Sequence, residues 1–194
     1  SSKNFKISPK LSHNLDALKV IFSTGSPLRG ENFDYVYQEV KDNIRLSSIS
    51  GGTDIISCFA LGNPQLPVYR DEIQCIGLGM DVQSLNSKNK SVKNMEGELI
   101  CAKPFPSMPI SFWKDKDDKK YFESYFNKFP NVWYHGDFIS IYDHGGVQIF
   151  GRSDTTLNPG GVRIGTSEIY DAIDTIDDII DSIVVGQKWK QDER

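Results

Sequence analysis

The chain is short of the residues that most readily declare a chemistry. Its three cysteines, Cys58, Cys75 and Cys101, are odd in number, form no C-x-x-C pair and sit in apolar or strand-like surroundings. They read as buried free thiols in a reducing compartment rather than as a disulfide framework. The three histidines are scattered, with no metal-ligand spacing, and no Ser or Cys stands in a nucleophile motif. There is no G-x-x-x-x-G-K-[ST] loop and no G-x-G-x-x-G, so any use of ATP must run through another architecture. The net charge of -4 leaves no basic footprint for nucleic acid or an anionic membrane surface. No apolar run reaches the length of a membrane span, and residues 1–12 are polar and basic without a signal-peptide core.

What remains is an ordinary globular composition, 38% hydrophobic and 25% charged over 194 residues, long enough for one large or two small domains. The chain lacks an initiator Met and stops just after an apolar run, which suggests an internal segment of something longer. Lys19, Val20, Ile21, Phe22 and Ser23 read as a strand running into a turn at Thr24, Gly25, Ser26 and Pro27. Phe33, Val36, Tyr37, Val40 and Ile44 then recur at helical spacing, with Glu31 and Asp34 near the favourable amino end. Residues 44–49 read as a second strand ending at Ser50, Gly51, Gly52, Thr53 and Asp54. Strand, helix, strand is a βαβ unit, in which ligands collect at the carboxyl ends of the strands.

From Leu66 onward short strand-like runs alternate with turn formers, as in a small antiparallel barrel or sheet. Residues 133–141 and 146–150 read as two strands joined by a turn at Tyr142, Asp143, His144 and Gly145. The charge-dense stretch 114–120 reads as a solvated loop or helix start. A helix is expected from about Thr166, with Ile169, Ala172, Ile173 and Ile176 on one face, followed by a strand over 182–185.

The chemistry-bearing residues cluster late in the chain: Gly136 and Asp137, then Gly151, Arg152, Ser153 and Asp154, then Gly160, Gly161, Val162 and Arg163. A carboxylate such as Asp137 offers two oxygens in one plane, which suits a pair of vicinal hydroxyls. Arg152 and Arg163 can bind phosphate in the planar, bidentate manner that Lys cannot copy, or can form surface ion pairs with Asp154 and Glu168. Gly160 and Gly161 permit close backbone approach. Thr53 can bond a phosphoryl oxygen and Asp54 can help hold Mg²⁺, which needs few protein ligands. Asp54 is equally well placed to cap a helix through Ile55, Ile56 and Phe59.

Taken together and in this order, these segments resemble the acyl-activating adenylate-forming superfamily. The match covers Gly25, Ser26 and Pro27, then Thr53 and Asp54, then Asp137, then the Gly151 to Asp154 motif, then Gly161, Val162 and Arg163 with Ser167, Glu168 and Ile169 after them. Within the superfamily the likeness is to acetyl-CoA-synthetase-like enzymes, and specifically to acetoacetate–CoA ligases. It implies an α/β fold: residues 1–153 as the end of a large AMP-binding domain, with a βαβ sheet and an antiparallel β subdomain over about 64–153. Residues 154–194 would be the hinge and the start of a small α+β domain.

The resemblance implies a two-step ligase. ATP and a carboxylate give an acyl-adenylate and diphosphate, and CoA then displaces AMP. By that likeness Gly25, Ser26, Pro27, Ser50, Gly51 and Gly52 line the adenine pocket, Thr53 contacts the α-phosphate, and Asp54 holds Mg²⁺. Asp137 holds the ribose, Arg152 lies near ribose and phosphate, Arg163 reaches the phosphates, Gly160 and Gly161 line the CoA tunnel, and Asp154 is the hinge. Acetyl-specific relatives carry a bulky Trp where this chain has Gly51, so Gly51 implies room for a larger acid such as acetoacetate, and Trp at that position should shift preference toward acetate. Asp54 stands where many relatives have Glu, with the same charge and a shorter reach. The family's phosphate loop would lie upstream and its catalytic lysine downstream, so the 194 residues alone are expected to be inactive. The likeness further implies a cytosolic enzyme of ketone-body and lipid metabolism acting on small molecules, with no obligate protein partner. Another short acid, or a non-catalytic nucleotide-binding role, is the alternative.

Overall fold

The structure is a computed structural model that describes residues 7–155, 157, 164–173, 175, 176, 178–189, 192 and 193. After a one-turn helix α1 (Pro9–Ser12), strand β1 (Val20–Ser23) pairs in parallel with β2 (Arg45–Ser48), Val20 opposite Arg45 and Ser23 opposite Ser48. Helix α2 (Gly30–Tyr35) and a π-helical turn (Val36–Val40) form the crossover, burying Phe33. A parallel pair needs such a crossover, and the β-branched runs flanking the amphipathic stretch supply it.

The glycine-rich segment after β2 does not start a helix. β3 (Ser50–Gly52) turns back through residues 53–56 into β4 (Ser57–Leu61), which pairs on its far side with β5 (Cys75–Ile76). The helix-capping alternative for Asp54 is thus replaced by a hairpin. Ile56 adopts φ 48° in the turn and is 90% exposed, while Phe59, on the following strand, is fully buried. Pairing of β4 on both sides, with β3 and β5, together with the burial of Phe59 and Ala60, outcompetes the weak helical pattern of this run.

The expected antiparallel region is a five-stranded sheet in the order β10, β9, β8, β6, β7, with β6 (Val82–Leu85), β7 (Ser91–Val92), β8 (Gly97–Cys101), β9 (Trp133–Ile141) and β10 (Val147–Arg152). Along β9 the odd-numbered residues Trp133, His135, Asp137, Ile139 and Ile141 are all buried, with Gly136 and Ser140 buried between them. The pairing with β8 shifts register between Tyr134 and Phe138, where Gly136 adopts φ 80°. Helix α3 (Lys119–Tyr125) packs on this sheet, and its amino end is held by the Asp115 carboxylate, which accepts from the backbone N–H groups of Lys120 and Tyr121 at 3.1 and 2.8 Å. The charged stretch before it is therefore a capped helix start. The main core joins Ile55 and Phe59 from the hairpin to Leu99, Trp133 and Ile139 from the large sheet and Tyr121 from α3.

Helix α4 (Thr166–Ile173) starts where expected, with Ile176 just beyond it. The strand expected over 182–185 is absent: that stretch pairs with no strand among the described residues, and Ile183 and Val185 are exposed. An apolar β-branched run becomes a strand only where a partner ladder satisfies its backbone. A short antiparallel pair, β11 (Lys188–Trp189) and β12 (Asp192–Glu193), follows. Among the described residues no helix is long and apolar enough to cross a membrane.

Candidate functional site

A cavity of about 420 Å³ opens between the β3–β4 hairpin, the end of α3 and strands β9 and β10, lined by Gly51, Gly52, Asp54, Ser124, Tyr125, Tyr134, His135, Arg152 and Asp154. The placement of Arg152 depends on an irregularity in β10. Strand β10 carries a bulge at Phe150, so Ile149 faces Ile139 while Gly151 faces Phe138 and Arg152 faces Asp137. Without the extra residue, Arg152 would point to the opposite face of the sheet. Gly151 holds the bulge at φ 126°, a backbone conformation that side-chain-bearing residues rarely adopt.

Arg152 therefore reaches two acids. Its Nη1 lies 3.5 Å from Asp137 Oδ1, its Nε donates to Asp154 Oδ1 at 2.8 Å, and its Nη2 pairs with Asp154 Oδ2. The bond to Asp154, with the charge of Asp137 added, holds the guanidinium firmly protonated. Asp137 is 8% exposed, and burial raises its carboxyl above the ordinary range, with His135 and Arg152 acting in the other direction. A carboxylate held this dry gains from a ligand that brings hydroxyl donors.

His135 lines the same cavity. Trp133 Nε1, which can only donate, gives a hydrogen bond to His135 Nδ1 at 3.4 Å, so the ring is neutral with its proton on Nε2. Nε2 lies 3.7 Å from Asp137 Oδ2. Burial pushes the imidazole below its ordinary value, against the pull of Asp137 and Asp54. On its other side the ring meets Phe59 edge-on at 4.7 Å.

Asp54 sits at the hairpin turn, its Oδ1 accepting the Ile55 N–H at 3.1 Å and its Oδ2 accepting the hydroxyl of Tyr125. Burial first, and then that bond, push the Tyr125 phenol well up, so it remains a donor. Beside the cavity Glu98 and Ser153 are buried together. The Ser153 hydroxyl donates to Glu98 Oε2 at 2.6 Å, lies 2.9 Å from the Tyr134 hydroxyl, and Lys128 pairs with Glu98 Oε1.

The structure thus gathers Gly51, Gly52, Asp54, Asp137, Arg152 and Asp154 at one place. Ser50 pairs with Ala60 in the hairpin, and Thr53 is exposed at its turn. Gly25, Ser26 and Pro27 follow β1 as an exposed turn and are not on the cavity wall, Pro27 lining a separate crevice with Phe33, Ser48 and Ile149. Gly160, Gly161 and Arg163 lie outside the described residues. At Gly51 a Cβ would come within 2.1 Å of the Ser57 carbonyl oxygen and 2.8 Å of Cys58 Cα, both backbone atoms. A side chain there needs the hairpin to move.

The residues that the sequence reading passed over are His135, Tyr125, Trp133 and Tyr134. His135 carried a usable signal, because it stands two residues from Asp137 in the same strand. Tyr125 carried none, since 71 residues separate it from Asp54.

For magnesium the test is the donor set. No group of three or more His, Cys, Asp or Glu suited to a metal occurs among the described residues. A single carboxylate on a cavity wall nevertheless fits this ion, which is usually held by one or two carboxylates and the phosphates of a substrate.

No family model matches the chain. In fold it is similar to CoA ligases of the adenylate-forming class, one being an anthranilate CoA ligase solved in complex with anthranoyl-AMP, at TM-score 0.62 and 18% identity over 81% of this chain and 29% of that one. Sequence and structure then narrow the likeness to acetoacetyl-CoA synthetases. The chain is 52% identical to that of Rhizobium meliloti over 96% of its own length, and 49% identical to that of Gallus gallus over 98%. The solved acetoacetyl-CoA synthetase of Streptomyces lividans superposes at TM-score 0.83, with 40% identity over 97% of this chain and 29% of that one. The chain is homologous to one segment of these enzymes, spanning 29% and 28% of the two curated relatives.

Proposed function

We propose that this chain builds one wall of the adenylate site of an ATP-dependent acid–CoA ligase, which converts acetoacetate, ATP and CoA to acetoacetyl-CoA, AMP and diphosphate. The observation that carries this reading is identity near one half, over almost the whole chain, with relatives named acetoacetyl-CoA synthetases. The geometry supports it with the chemistry such a site requires: Arg152 on the cavity wall for phosphate and, beside it, the buried Asp137 carboxylate for the ribose hydroxyls.

In this reading Asp137 accepts from the ribose, Arg152 leaves part of its ion pairing to meet phosphate, and Thr53 and Arg163 contact the phosphates of ATP. Gly25, Ser26, Pro27 and residues 50–52 approach the adenine, Gly160 and Gly161 the CoA, and Gly51 the acyl group. Asp154 is the pivot between residues 1–153 and 154–194. Asp54 would hold Mg²⁺, which supplies positive charge to the transferring phosphoryl centre when bound. The chain's own part is to orient nucleotide and acid and to exclude water. We place the enzyme in ketone-body and lipid metabolism in the cytosol, on the likeness to those relatives.

The test is a chimera in which this chain replaces the matching stretch of the Rhizobium meliloti relative. We expect ATP–diphosphate exchange driven by acetoacetate in preference to acetate, propionate or butyrate, followed by thioester formation with CoA. A folded chimera that prefers another acid overturns the substrate, and one that activates no acid overturns the ligase reading. The 194-residue chain by itself is expected to give no exchange.

A further inference from the structure

Asp54 on the cavity wall and Asp137, buried behind His135 and Arg152, belong to different sheets, the one to the β3–β4 hairpin and the other to strand β9. One row of side chains joins them. Tyr125 donates its hydroxyl to Asp54 and lays its ring on Trp133, with centroids 3.7 Å apart and planes 13° from parallel. Trp133 is 1% exposed and donates through Nε1 to His135, whose Nε2 faces Asp137. We infer that Tyr125 is a positioning residue, which holds the Asp54 carboxylate, through its stack on buried Trp133, in the orientation that receives a divalent cation carried by the nucleotide. This rests on the reading of Asp54 proposed above.

The mechanical argument is direct. Asp54 sits in a tight turn just before Ile55, which is fully buried and anchors the backbone, while the turn residues Thr53 and Ile56 are exposed. Two donors restrain its carboxylate, the Ile55 N–H on one oxygen and Tyr125 on the other. Each oxygen keeps a further lone pair for a cation. Tyr125 can act as a fixed donor because it is the last residue of α3, a helix capped by Asp115 and anchored in the core by Tyr121. The stack removes the freedom of the ring, leaving the hydroxyl aimed along its plane. Groups that orient a metal-binding side chain in this way are commonly worth about 10- to 100-fold in metal affinity.

The experiment uses the full-length chimera and compares Tyr125→Phe, Asp54→Asn and the double variant. Phe keeps the ring stack and removes only the hydroxyl. The readouts are Mn²⁺ binding in the presence of ATP, followed by electron paramagnetic resonance, and the free Mg²⁺ giving half-maximal exchange. We expect Tyr125→Phe to weaken both by about tenfold, to leave the KM for the acid and the thermal midpoint near the parent values, and to add little once Asp54 is Asn. If Asp54→Asn weakens Mn²⁺ binding while Tyr125→Phe does not, the inference about Tyr125 fails and the reading of Asp54 stands. If Asp54→Asn leaves Mn²⁺ binding unchanged, both fail. A Tyr125→Phe variant that loses thermal stability with unaltered metal dependence marks a packing role only and overturns the inference.

Discussion

Arg152 lies directly across the β9–β10 ladder from Asp137, its Nη1 3.5 Å from Asp137 Oδ1, while its Nε is committed to Asp154 at 2.8 Å. The guanidinium is therefore shared between an acid on the rigid sheet and an acid just beyond the strand. Arg152→Lys keeps the charge and loses the planar fork, so it cannot serve both. In the full-length chimera we expect a KM for ATP raised by about tenfold or more, the loss of one charge-assisted hydrogen bond. The KM for the acid should change little. Equal effects on both would place Arg152 elsewhere than on the nucleotide.

The bulge at Phe150 gives a second prediction. Gly151→Ala forces a side chain onto φ 126°, and we expect a loss of about 1–3 kcal/mol in urea unfolding of the 194-residue chain. Relief of the strain by closing the bulge would turn Arg152 to the opposite face. Hydrogen exchange along β10 reads that change of register, and unaltered stability and protection would refute it.

His135 predicts a pH dependence. Burial holds its folded-state value below the unfolded 6.5, so the unfolded chain binds more protons in the window beneath 6.5. Its contribution to stability is complete above that value and is lost as pH falls through the folded value. The groups facing it are Asp137, Asp54 and Arg152, with Phe59 and Trp133 packed around the ring. Asp137 works in the opposite sense: its raised value favours the folded state as the acid becomes protonated. Urea unfolding of the parent and of His135→Gln at pH 8 down to pH 5 should show a fall in the parent that is shallower in the variant. Parallel curves would remove His135 as the cause.

Gly51 yields a fourth. The backbone of Ser57 and Cys58 occupies the space where a Cβ would lie, so Gly51→Ala alone should lower the thermal midpoint by several degrees. Gly51→Trp should perturb the hairpin as well as narrow the space for the acid. An acid panel run beside thermal unfolding separates the two: a swing toward acetate without loss of stability means that the hairpin yields readily.

Much of this site was legible because strands advertise themselves. The alternation along 133–141 and the glycine-bearing turn after it specify the hairpin, and with it the neighbourhood of Asp137 and Arg152. The bulge was not legible, since nothing in Ile149, Phe150 and Gly151 states which residue is left unpaired. Asp54 was read as either ligand or helix cap because a four-residue window cannot see β5, the partner that stabilises β4 as a strand. The same blindness to partners made residues 182–185 look like a strand. Tyr125 belonged to an aromatic-rich helix like many others, and only tertiary packing sets its hydroxyl against an acid from another sheet.

The small network at Ser153 has a mechanical consequence. Ser153 is 4% exposed and tied to Glu98 and Tyr134, and its N–H donates to the Gly136 carbonyl at 2.8 Å. The next residue, Asp154, is held by a pair whose side chains are 46% and 43% exposed, where water can replace the contact at little cost. The tie to the sheet therefore changes across a single peptide bond, from buried hydrogen bonds at Ser153 to a solvent-exposed ion pair at Asp154. Were Asp154 to leave, the guanidinium would stay at the edge of the cavity with Asp137 as its remaining partner.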